Sequence, residues 1–302
     1  MVEKTKLILD APQRDEIGWI LERNGSIANL DVLGTPLVVY NIRKLRAVKG
    51  EIECVFVPEG HPAIVTMIRH YLPEIEVGEY GKKRPELRDG GLAIPINSVV
   101  LLGEKGFTTK GLVYPWDILS AMSEILTREV VSSVISQSAV ISETAVISGP
   151  CIISDGVMID DFCKIRGPVY IGPRTKIGTG SLIRQSMIGE DSVIGFTCEI
   201  AKSYLAGQDN MAHLDVVLDS VLGKNVWSGA FLGTTNVLLN KKSVKYKMGD
   251  EMIETGLNHF GVIIGHDASI GAATITLPGR FIPPESTLAP GTVFTGRPDP
   301  TK

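Results

Sequence analysis

Residues 134–183 read VISQSAVISETAVISGPCIISDGVMIDDFCKIRGPVYIGPRTKIGTGSLI. Isoleucine occupies every sixth position of this stretch, nine times in succession from Ile135 to Ile183. A period of six fits neither an amphipathic helix, with 3.6 residues per turn, nor a plain strand, with a period of two. It fits a solenoid in which each hexapeptide forms one short strand and a turn and places one apolar side chain inside.

The same rhythm continues beyond Ile183 with one-residue slips. It restarts at Ile188, slips again at Leu205 and Leu222, and returns near the C-terminus after an interruption. Glycine often follows the inward residue, which suits a corner where neighbouring coils approach closely. We therefore predict an all-β parallel β-helix of hexapeptide repeats over residues 132–302, with a loop insertion at 233–261.

The first 114 residues have a different pattern, in which short apolar runs alternate with helical ones. Strands are predicted at Lys6–Asp10, Glu53–Pro58 and Val99–Leu102, and helices at Glu16–Arg23, Leu37–Arg46 and Ala63–Tyr71. Such alternation favours an α/β domain with a mostly parallel sheet over residues 1–114. Residues 115–131 are predicted to form a linker helix, with Trp116, Leu119, Met122 and Leu126 on its apolar face.

Composition and charge narrow the class of protein. The formal net charge is −4 and charged residues make up 21% of the chain, so the sequence does not indicate nucleic acid as a partner. The four cysteines lack disulfide or CxxC spacing, and no apolar run is long enough for a signal peptide or a membrane span. These features predict a cytoplasmic protein with no membrane contact.

The N-terminal part resembles the sugar-1-phosphate nucleotidyltransferases. The segment Leu33–Arg43 (LGTPLVVYNIR) is similar to their KPLI-x-YNI motif, and Pro115–Leu119 (PWDIL) is similar to the segment before their C-terminal β-helix. The family holds nucleotide phosphates in a Gly-rich loop after its first strand, whereas this chain has Ala11–Asp15 (APQRD) there. A turn with proline and without glycine does not supply that run of backbone N–H groups. The resemblance therefore implies a degenerate, truncated nucleotidyltransferase-like domain, and Mg²⁺ only if nucleotidyl transfer survives.

The β-helical part resembles the C-terminal left-handed β-helix of the glucosamine-1-phosphate N-acetyltransferase family and its archaeal relatives. The similar segments are Gly167–Gly172, Cys198–Ser203, Asp219–Gly223 and Gly261–Gly265. What the resemblance implies is a homotrimer that uses acetyl-CoA, a coenzyme A thioester, as co-substrate. The implied acceptor is a sugar phosphate, namely glucosamine- or galactosamine-1-phosphate.

His213 is the candidate catalytic residue. It follows the inward Met211 by two residues, so its side chain need not be buried. Acyl transfer to an amine needs a base, and imidazole, with an ordinary pKa near 6.5, can serve at neutral pH. A lone histidine is more often structural. The resemblance favours catalysis, because the family's catalytic histidine aligns with His213.

The candidate binding residues lie in the inserted loop and on one strand. Clustered lysines in the loop suit either a sugar phosphate or the phosphates of coenzyme A, while a solvated charged loop is the structural alternative. The resemblance implies that Asn236, Lys242 and Lys245 contribute to the amino-sugar phosphate site. It also implies that Arg184 contacts the sugar phosphate.

Four positions depart from the family pattern. Lys202 lies one place after the family's lysine position, Val216 replaces a tyrosine, Trp227 an asparagine and His259 a lysine. We regard Lys202, Trp227 and His259 as possible pocket residues. Zinc bound by histidines between subunits is disfavoured, since His213 lacks a second histidine at ligand spacing.

The leading hypothesis is an acetyl-CoA-dependent N-acetyltransferase acting on an amino-sugar 1-phosphate. The first alternative is a non-catalytic or regulatory subunit of a nucleotidyltransferase that binds a sugar nucleotide. The second alternative is residual sugar-1-phosphate nucleotidyl transfer in the N-terminal domain.

Overall fold

The computed structural model describes residues 5–11, 16–23, 25–87, 91–104, 106–248 and 251–296. The chain divides into two compact units. The first ends at Val113, and the second combines Ile20–Arg23 with the chain from Tyr114 onward. The predicted fold class, an α/β N-terminal domain followed by a parallel β-helix, is confirmed.

A four-stranded parallel sheet forms the centre of the first unit. Its strands lie in the order Glu76–Tyr80, Ile52–Pro58, Thr5–Asp10 and Leu92–Pro95. The helices of this part of the chain are α1 (Glu16–Leu21), α2 (Leu37–Lys49) and α3 (Pro62–Tyr71). The helices and the two parallel strands predicted from the sequence are confirmed, with ends that differ by a few residues. Of the predicted Pro-bearing turn at 11–15, residues 12–15 lie outside the described residues.

The strand predicted at Val99–Leu102 is present but lies outside the parallel sheet. It belongs to an antiparallel hairpin of Ser98–Gly103 with Gly106–Gly111. The buried Asn41 side chain of α2 donates to the Ser98 carbonyl at 2.6 Å and accepts from the Val100 amide at 2.8 Å. This amide ties the helix to the hairpin, which gives the YNI segment a structural role. A 3₁₀ turn at Ile27–Asn29 and a short pair, Asp31–Val32 with Thr35–Pro36, complete the unit.

The second unit is a parallel β-helix with three faces of eight strands each. Face A consists of Val134–Ile135, Cys151–Ile153, Val169–Ile171, Met187–Ile188, Tyr204–Leu205, Val221–Leu222, Val262–Ile264 and Arg280–Ile282. Face B consists of Val140–Ile141, Met158–Ile159, Lys176–Ile177, Val193–Phe196, Asn210–His213, Trp227–Ser228, Ser269–Ile270 and Thr287–Leu288. Face C consists of Val146–Ser148, Lys164–Arg166, Leu182–Arg184, Glu199–Ala201, Val216–Leu218, Gly233–Thr234, Ile275–Thr276 and Val293–Phe294. The chain passes through A, B and C in turn, which defines the corners A/B, B/C and C/A.

The hexapeptide positions form the core of the β-helix. Ile153, Ile171 and Ile188 are at most 1% exposed, and burial of each such side chain contributes about 1.5–3 kcal/mol. Ile171 pairs with Ile188, and Ile188 with Leu205, each 17 residues on, whereas Ile153 pairs with Ile171, 18 residues on. A coil of 17 residues is one residue shorter than a coil of 18, and the shortening falls at corner C/A. A coil that is shorter at this corner explains the slips in the sequence rhythm.

Helix α4 (Asp117–Glu129) and the inserted segment complete the second unit. The predicted apolar face of α4 is buried, and the helix lies against the face A strand Tyr204–Leu205. The chain leaves the coil after Thr234 and returns at Val262, at corner C/A, with an antiparallel hairpin of Lys245–Met248 and Glu251–Glu254 between. Within the described ranges, no helix is long and apolar enough to cross a membrane.

Candidate active site

His213 is the last residue of a face B strand and stands at corner B/C. Its side chain is exposed, and Phe196 lies beside it in register on the neighbouring coil. Its carbonyl oxygen accepts a hydrogen bond from the Phe231 amide, at 2.9 Å, on the next coil. The backbone of His213 is therefore held within the hydrogen-bonded coils, and its exposed imidazole remains open to a ligand. Such a group can take a proton from an amine.

Large apolar side chains surround this corner. Phe162, Phe196 and Phe231 are 69%, 53% and 56% exposed, and Leu214 is 39% exposed. Phe162, Leu214 and Phe231 also have φ values of 57°, 59° and 68°, a left-handed conformation that costs a non-glycine residue about 1–2 kcal/mol. A row of exposed apolar residues of this kind is typical of a surface that another molecule covers. The sequence reasoning missed these residues, because none of them breaks the hexapeptide rhythm.

Two buried carboxylates lie in the coil that carries His213. Asp209 accepts hydrogen bonds from the Val226 and Gly207 amides, at 2.9 and 3.2 Å, yet burial raises its pKa to about 8. Asp215 accepts from the Ser228 hydroxyl at 2.6 Å and the Leu232 amide at 2.8 Å, and burial raises its pKa as well. Asp215 lies two residues after His213, behind the exposed corner.

Arg184, at the end of a face C strand, is already paired. Its Nε and Nη2 donate to Glu199 Oε1 at 3.1 and 2.9 Å, on the neighbouring coil. Both side chains are about one-third exposed, so the pair lies at the surface of face C. A substrate phosphate at Arg184 would have to compete with this carboxylate.

Corner C/A carries a ladder of polar residues. Gln185, Lys202 and Asp219 follow one another there at intervals of 17 residues, and together with His259 they line a cavity of about 380 Å³ beside α4. Asp219 accepts a hydrogen bond from Asn236 Nδ2 at 2.5 Å. The structure thus brings Lys202, His259 and Asn236 to one corner.

The lysine-rich part of the inserted segment lines a second cavity, of about 260 Å³. Lys242, Lys245, Lys247 and Arg280 are in its lining, whereas Arg184 and Asn236, which were predicted for the same substrate site, are not. Lys245 Nζ pairs with Glu254 Oε1 at 2.7 Å across the hairpin. Sequence reasoning missed Arg280, which returns to this corner from a later coil.

Trp227 lies elsewhere. It is 47% exposed on face B, where it pairs with Asn210 and Ser269 on the neighbouring strands. Trp227 therefore lies on face B, as His213 does, and not among the residues of corner C/A.

The candidate residues form two groups on opposite edges of face C. His213 stands at corner B/C, whereas Asn236, the lysines and the cavity residues stand at corner C/A. His213 and Asp219 are six positions apart in the sequence, so their Cα atoms lie no more than about 20 Å apart. Within one protomer, the base and the cations face a common surface but do not touch.

One group of potential metal ligands lies away from both corners. Among the described residues, ligand atoms of His266, Asp267 and Glu285 come within 4.8 Å of one another. Arg23 pairs with Glu285 at 2.7 Å and with Asp267 at 3.5 Å, and Asn225 donates to Asp267 at 2.6 Å. Because Arg23 pairs with both carboxylates and offsets one of their two charges, the group is an ion-pair network at corner A/B.

Comparisons with known proteins agree with this architecture. The family model named GMPPB C-terminal domain matches residues 130–254. An uncharacterized acetyltransferase YaiX from Escherichia coli O6:K15:H31 is 31% identical over 143 residues, which cover 41% of this chain and 62% of YaiX. A bifunctional sugar-1-phosphate nucleotidylyltransferase/acetyltransferase from Sulfurisphaera tokodaii is 29% identical over 117 residues, 38% of this chain and 29% of that protein.

Among solved structures, a UDP-N-acetylglucosamine acyltransferase matches 52% of this chain and 71% of its own, at 15% identity and a TM-score of 0.31. The chain spans less than two thirds of the length of YaiX and of the Sulfurisphaera tokodaii protein. The residues matched by the family model, 130–254, lie in the β-helix and its inserted segment. The β-helical part of this chain is similar to the sugar-1-phosphate nucleotidyltransferase/acetyltransferase family.

Proposed function

We propose that this chain is an acyl-CoA-dependent acyltransferase for sugar phosphates, and specifically that it transfers acetyl from acetyl-CoA to an amino-sugar 1-phosphate. Glucosamine-1-phosphate and galactosamine-1-phosphate are the first acceptors to test. The exposed imidazole of His213 carries the proposal, because it lies within the residues matched by the family and is open to an incoming amine. The four cysteines are free and buried, in keeping with the proposed cytoplasmic location.

His213 acts as the general base in this proposal. Acetyl-CoA, when bound, supplies the thioester. The imidazole takes a proton from the acceptor nitrogen as the N–C bond forms and the C–S bond breaks, and then returns it to the leaving thiolate. Backbone amides of neighbouring coils are candidates for stabilising the oxyanion. No residue forms a covalent intermediate.

The remaining candidates bind substrate. Arg184 and Asn236 are assigned to the phosphorylated acceptor, and Lys242 and Lys245 to a substrate phosphate. Arg184 would exchange Glu199 for the phosphate, and Asn236 would exchange Asp219 for a sugar hydroxyl. Lys202, Trp227 and His259 remain possible pocket residues.

A homotrimer is part of the proposal. In one protomer, His213 and the cationic residues stand at opposite corners of face C. A cyclic arrangement of three copies can place the B/C corner of one protomer next to the C/A corner of its neighbour. It would also cover the exposed Phe196 and Phe231 beside the base. Both features support sites between subunits.

The direct experiment is an acyl-transfer assay with the intact chain. Acetyl-CoA is mixed with each amino-sugar 1-phosphate, free thiol is followed over time, and the N-acetylated product is identified by mass. Thiol release that requires the acceptor supports the proposal. Absence of release with both acceptors, and with acyl donors of other lengths, would contradict it.

A second candidate is a non-catalytic subunit that binds a sugar nucleotide. The Arg184–Glu199 pair favours it, because this pair already neutralises the cation expected to hold the acceptor phosphate. Thermal stabilisation by a nucleotide sugar, without any thiol release, would support this candidate. Pyrophosphate release from a nucleoside triphosphate and a sugar phosphate in the presence of Mg²⁺ would indicate residual nucleotidyl transfer.

A further inference from the structure

The cavity of the inserted segment is strongly basic. Lys242, Lys245, Lys247 and Arg280 line it, and no carboxylate occurs among the described residues of its lining. Glu254 neutralises Lys245 from the second strand of the hairpin, at 2.7 Å. The cavity therefore keeps an excess of positive charge in a space of about 260 Å³.

The cations are positioned by the local structure. On the strand Lys245–Met248, Lys245 and Lys247 line the cavity while Tyr246 between them is buried against Trp116 and Phe260, as strand alternation requires. Arg280 donates Nη1 to the Pro278 carbonyl at 2.9 Å and Nε to the Thr295 carbonyl at 3.2 Å. These contacts orient the guanidinium at the edge of the cavity before any ligand binds.

One polar atom in the lining points to a ligand. The Ser243 hydroxyl oxygen is buried and has no hydrogen-bond partner among the described residues. A buried hydroxyl without a partner costs about 1–3 kcal/mol, so natural structures seldom leave one. Once the Ser243 side chain turns toward the cavity, a phosphate oxygen there would accept from this hydroxyl as well as from the cations.

The charge of the cavity distinguishes the two phosphate-bearing substrates. An amino-sugar 1-phosphate brings a single phosphate monoester, with at most about two negative charges. Coenzyme A brings a 3′-phosphate monoester and a diphosphate, which together match three or four cations better. Clustered lysines act as point charges and so tolerate several phosphates at varied angles.

Face C carries a groove between the strand Val216–Leu218, which follows the His213 corner, and the start of the inserted segment. This shallow groove of about 280 Å³ is lined by Val216, Gly233 and Val237, and the next residue, Leu238, lines the basic cavity. Val216 begins the strand that follows the His213 corner. Gly233 keeps the floor of the groove low, since a Cβ there would lie 2.8 Å from Ile275 Cδ1. A groove of this kind can take an extended chain such as the pantetheine arm, whose methylene and methyl groups alternate with two amides and a hydroxyl.

We infer that the basic cavity binds the 3′-phosphate and diphosphate of the acyl-CoA, with Lys242, Lys247, Arg280 and Ser243 as its contacts, and that the acyl arm crosses face C toward His213. The inference rests on the proposed function. It assigns Lys242 to the acyl donor, whereas the family resemblance implies that Lys242 contributes to the amino-sugar phosphate site.

The test is a set of equilibrium binding titrations with the intact chain and no second substrate. The ligands are coenzyme A, dephospho-coenzyme A and glucosamine-1-phosphate. The variants are Lys247→Gln, Ser243→Ala and, as matched control, Lys241→Gln, which removes a charge from the same segment at an exposed residue outside the lining.

The expected result is coenzyme A bound about tenfold more tightly than dephospho-coenzyme A. Lys247→Gln should weaken coenzyme A binding about five- to tenfold, and Ser243→Ala should weaken it about threefold. Lys241→Gln should leave the affinity for coenzyme A unchanged. Equal affinity for the two coenzymes, or loss of glucosamine-1-phosphate affinity alone, overturns the inference. If coenzyme A binds in the cavity but no acyl transfer occurs, the inference is supported and the proposed function is contradicted.

Discussion

Asp209 places a carboxylate where neighbouring coils use a hydroxyl. Ser192 occupies the equivalent position one coil earlier and Thr175 two coils earlier, where the Thr175 hydroxyl oxygen accepts from the Ser192 amide. Asp209 accepts from Val226 in the same way, but burial raises its pKa from 3.8 to about 8. The folded protein therefore holds a proton there that the unfolded chain releases near pH 4.

This proton makes folding stability depend on pH. The stabilising contribution is complete below pH 4 and is lost as the pH rises through about 8. Between these two pH values the unfolded chain binds fewer protons at this group than the folded chain, so a rise in pH favours unfolding. Between these values, the free energy of unfolding should fall by up to about 1.4 kcal/mol per pH unit from this group. Asp209→Asn lacks the ionisation, so urea unfolding from pH 5 to 8 should show a flatter profile for the variant. Parallel profiles would contradict a buried, protonated Asp209.

Glu199 is predicted to restrain Arg184. Its carboxylate lies 2.9 Å from Nη2, and a half-exposed pair of this kind contributes at most about 1 kcal/mol. In Glu199→Gln, the guanidinium becomes available to a phosphate, so glucosamine-1-phosphate should bind about two- to fivefold more tightly by calorimetry. Glu251→Gln, an exposed hairpin residue, is the control. Weaker binding in Glu199→Gln would mean that Glu199 instead orients Arg184 for the substrate.

Tyr246 anchors the hairpin of the inserted segment. Its ring is 4% exposed and lies 4.8 Å from the Trp116 ring centroid and 6.4 Å from that of Phe260. The segment has few other buried apolar residues, so Tyr246→Ala should open the hairpin locally without unfolding the coils. Amide exchange at Lys245–Met248 should become at least tenfold faster, while the Ile153–Ile200 core keeps its protection. Loss of protection throughout the coils would contradict a local anchor.

The elements of the β-helix were predictable because each strand contributes one residue to the hexapeptide rhythm, and most of these residues are buried apolar side chains, although Ile135 in the first strand is 44% exposed. The periodic residues, including Ile135–Ile183, also showed where the rhythm stops, and the inserted segment begins there. The antiparallel hairpin inside the insertion was not predictable, because Tyr246 packs against Trp116 more than 100 residues away. The strand at Val99–Leu102 was predicted because it is a continuous apolar run. Its partner at Gly106–Gly111 is partly exposed and lacks an apolar run, so the sequence did not predict it.

The site was less predictable than the fold, because it depends on contacts between coils. Glu199 opposite Arg184, and Asp219 opposite Asn236, become neighbours only once the coil length at corner C/A is known. The sequence also predicted that His213 and the lysines share one cleft. In one protomer they lie at different corners, so a shared cleft stays a proposal for the assembly.

At the scale of the whole molecule, we predict a homotrimer with a mass about three times the 32.6 kDa of the chain. Phe231 is 56% exposed in a left-handed conformation beside His213, so a charge there should disrupt the interface. Phe231→Asp should shift light-scattering mass toward the monomer, while Val48→Asp on α2 should not. A wild-type monomer at micromolar concentration would contradict sites between subunits.

The central claim is that His213 removes the proton from the acceptor amine. The decisive measurement compares wild type with His213→Gln, which keeps a hydrogen-bonding side chain of similar size but cannot act as a base at neutral pH. The account predicts that kcat/KM for acceptor-dependent thiol release falls by about 10²–10⁴-fold, with the Kd for coenzyme A unchanged. A variant that retains wild-type turnover would contradict it.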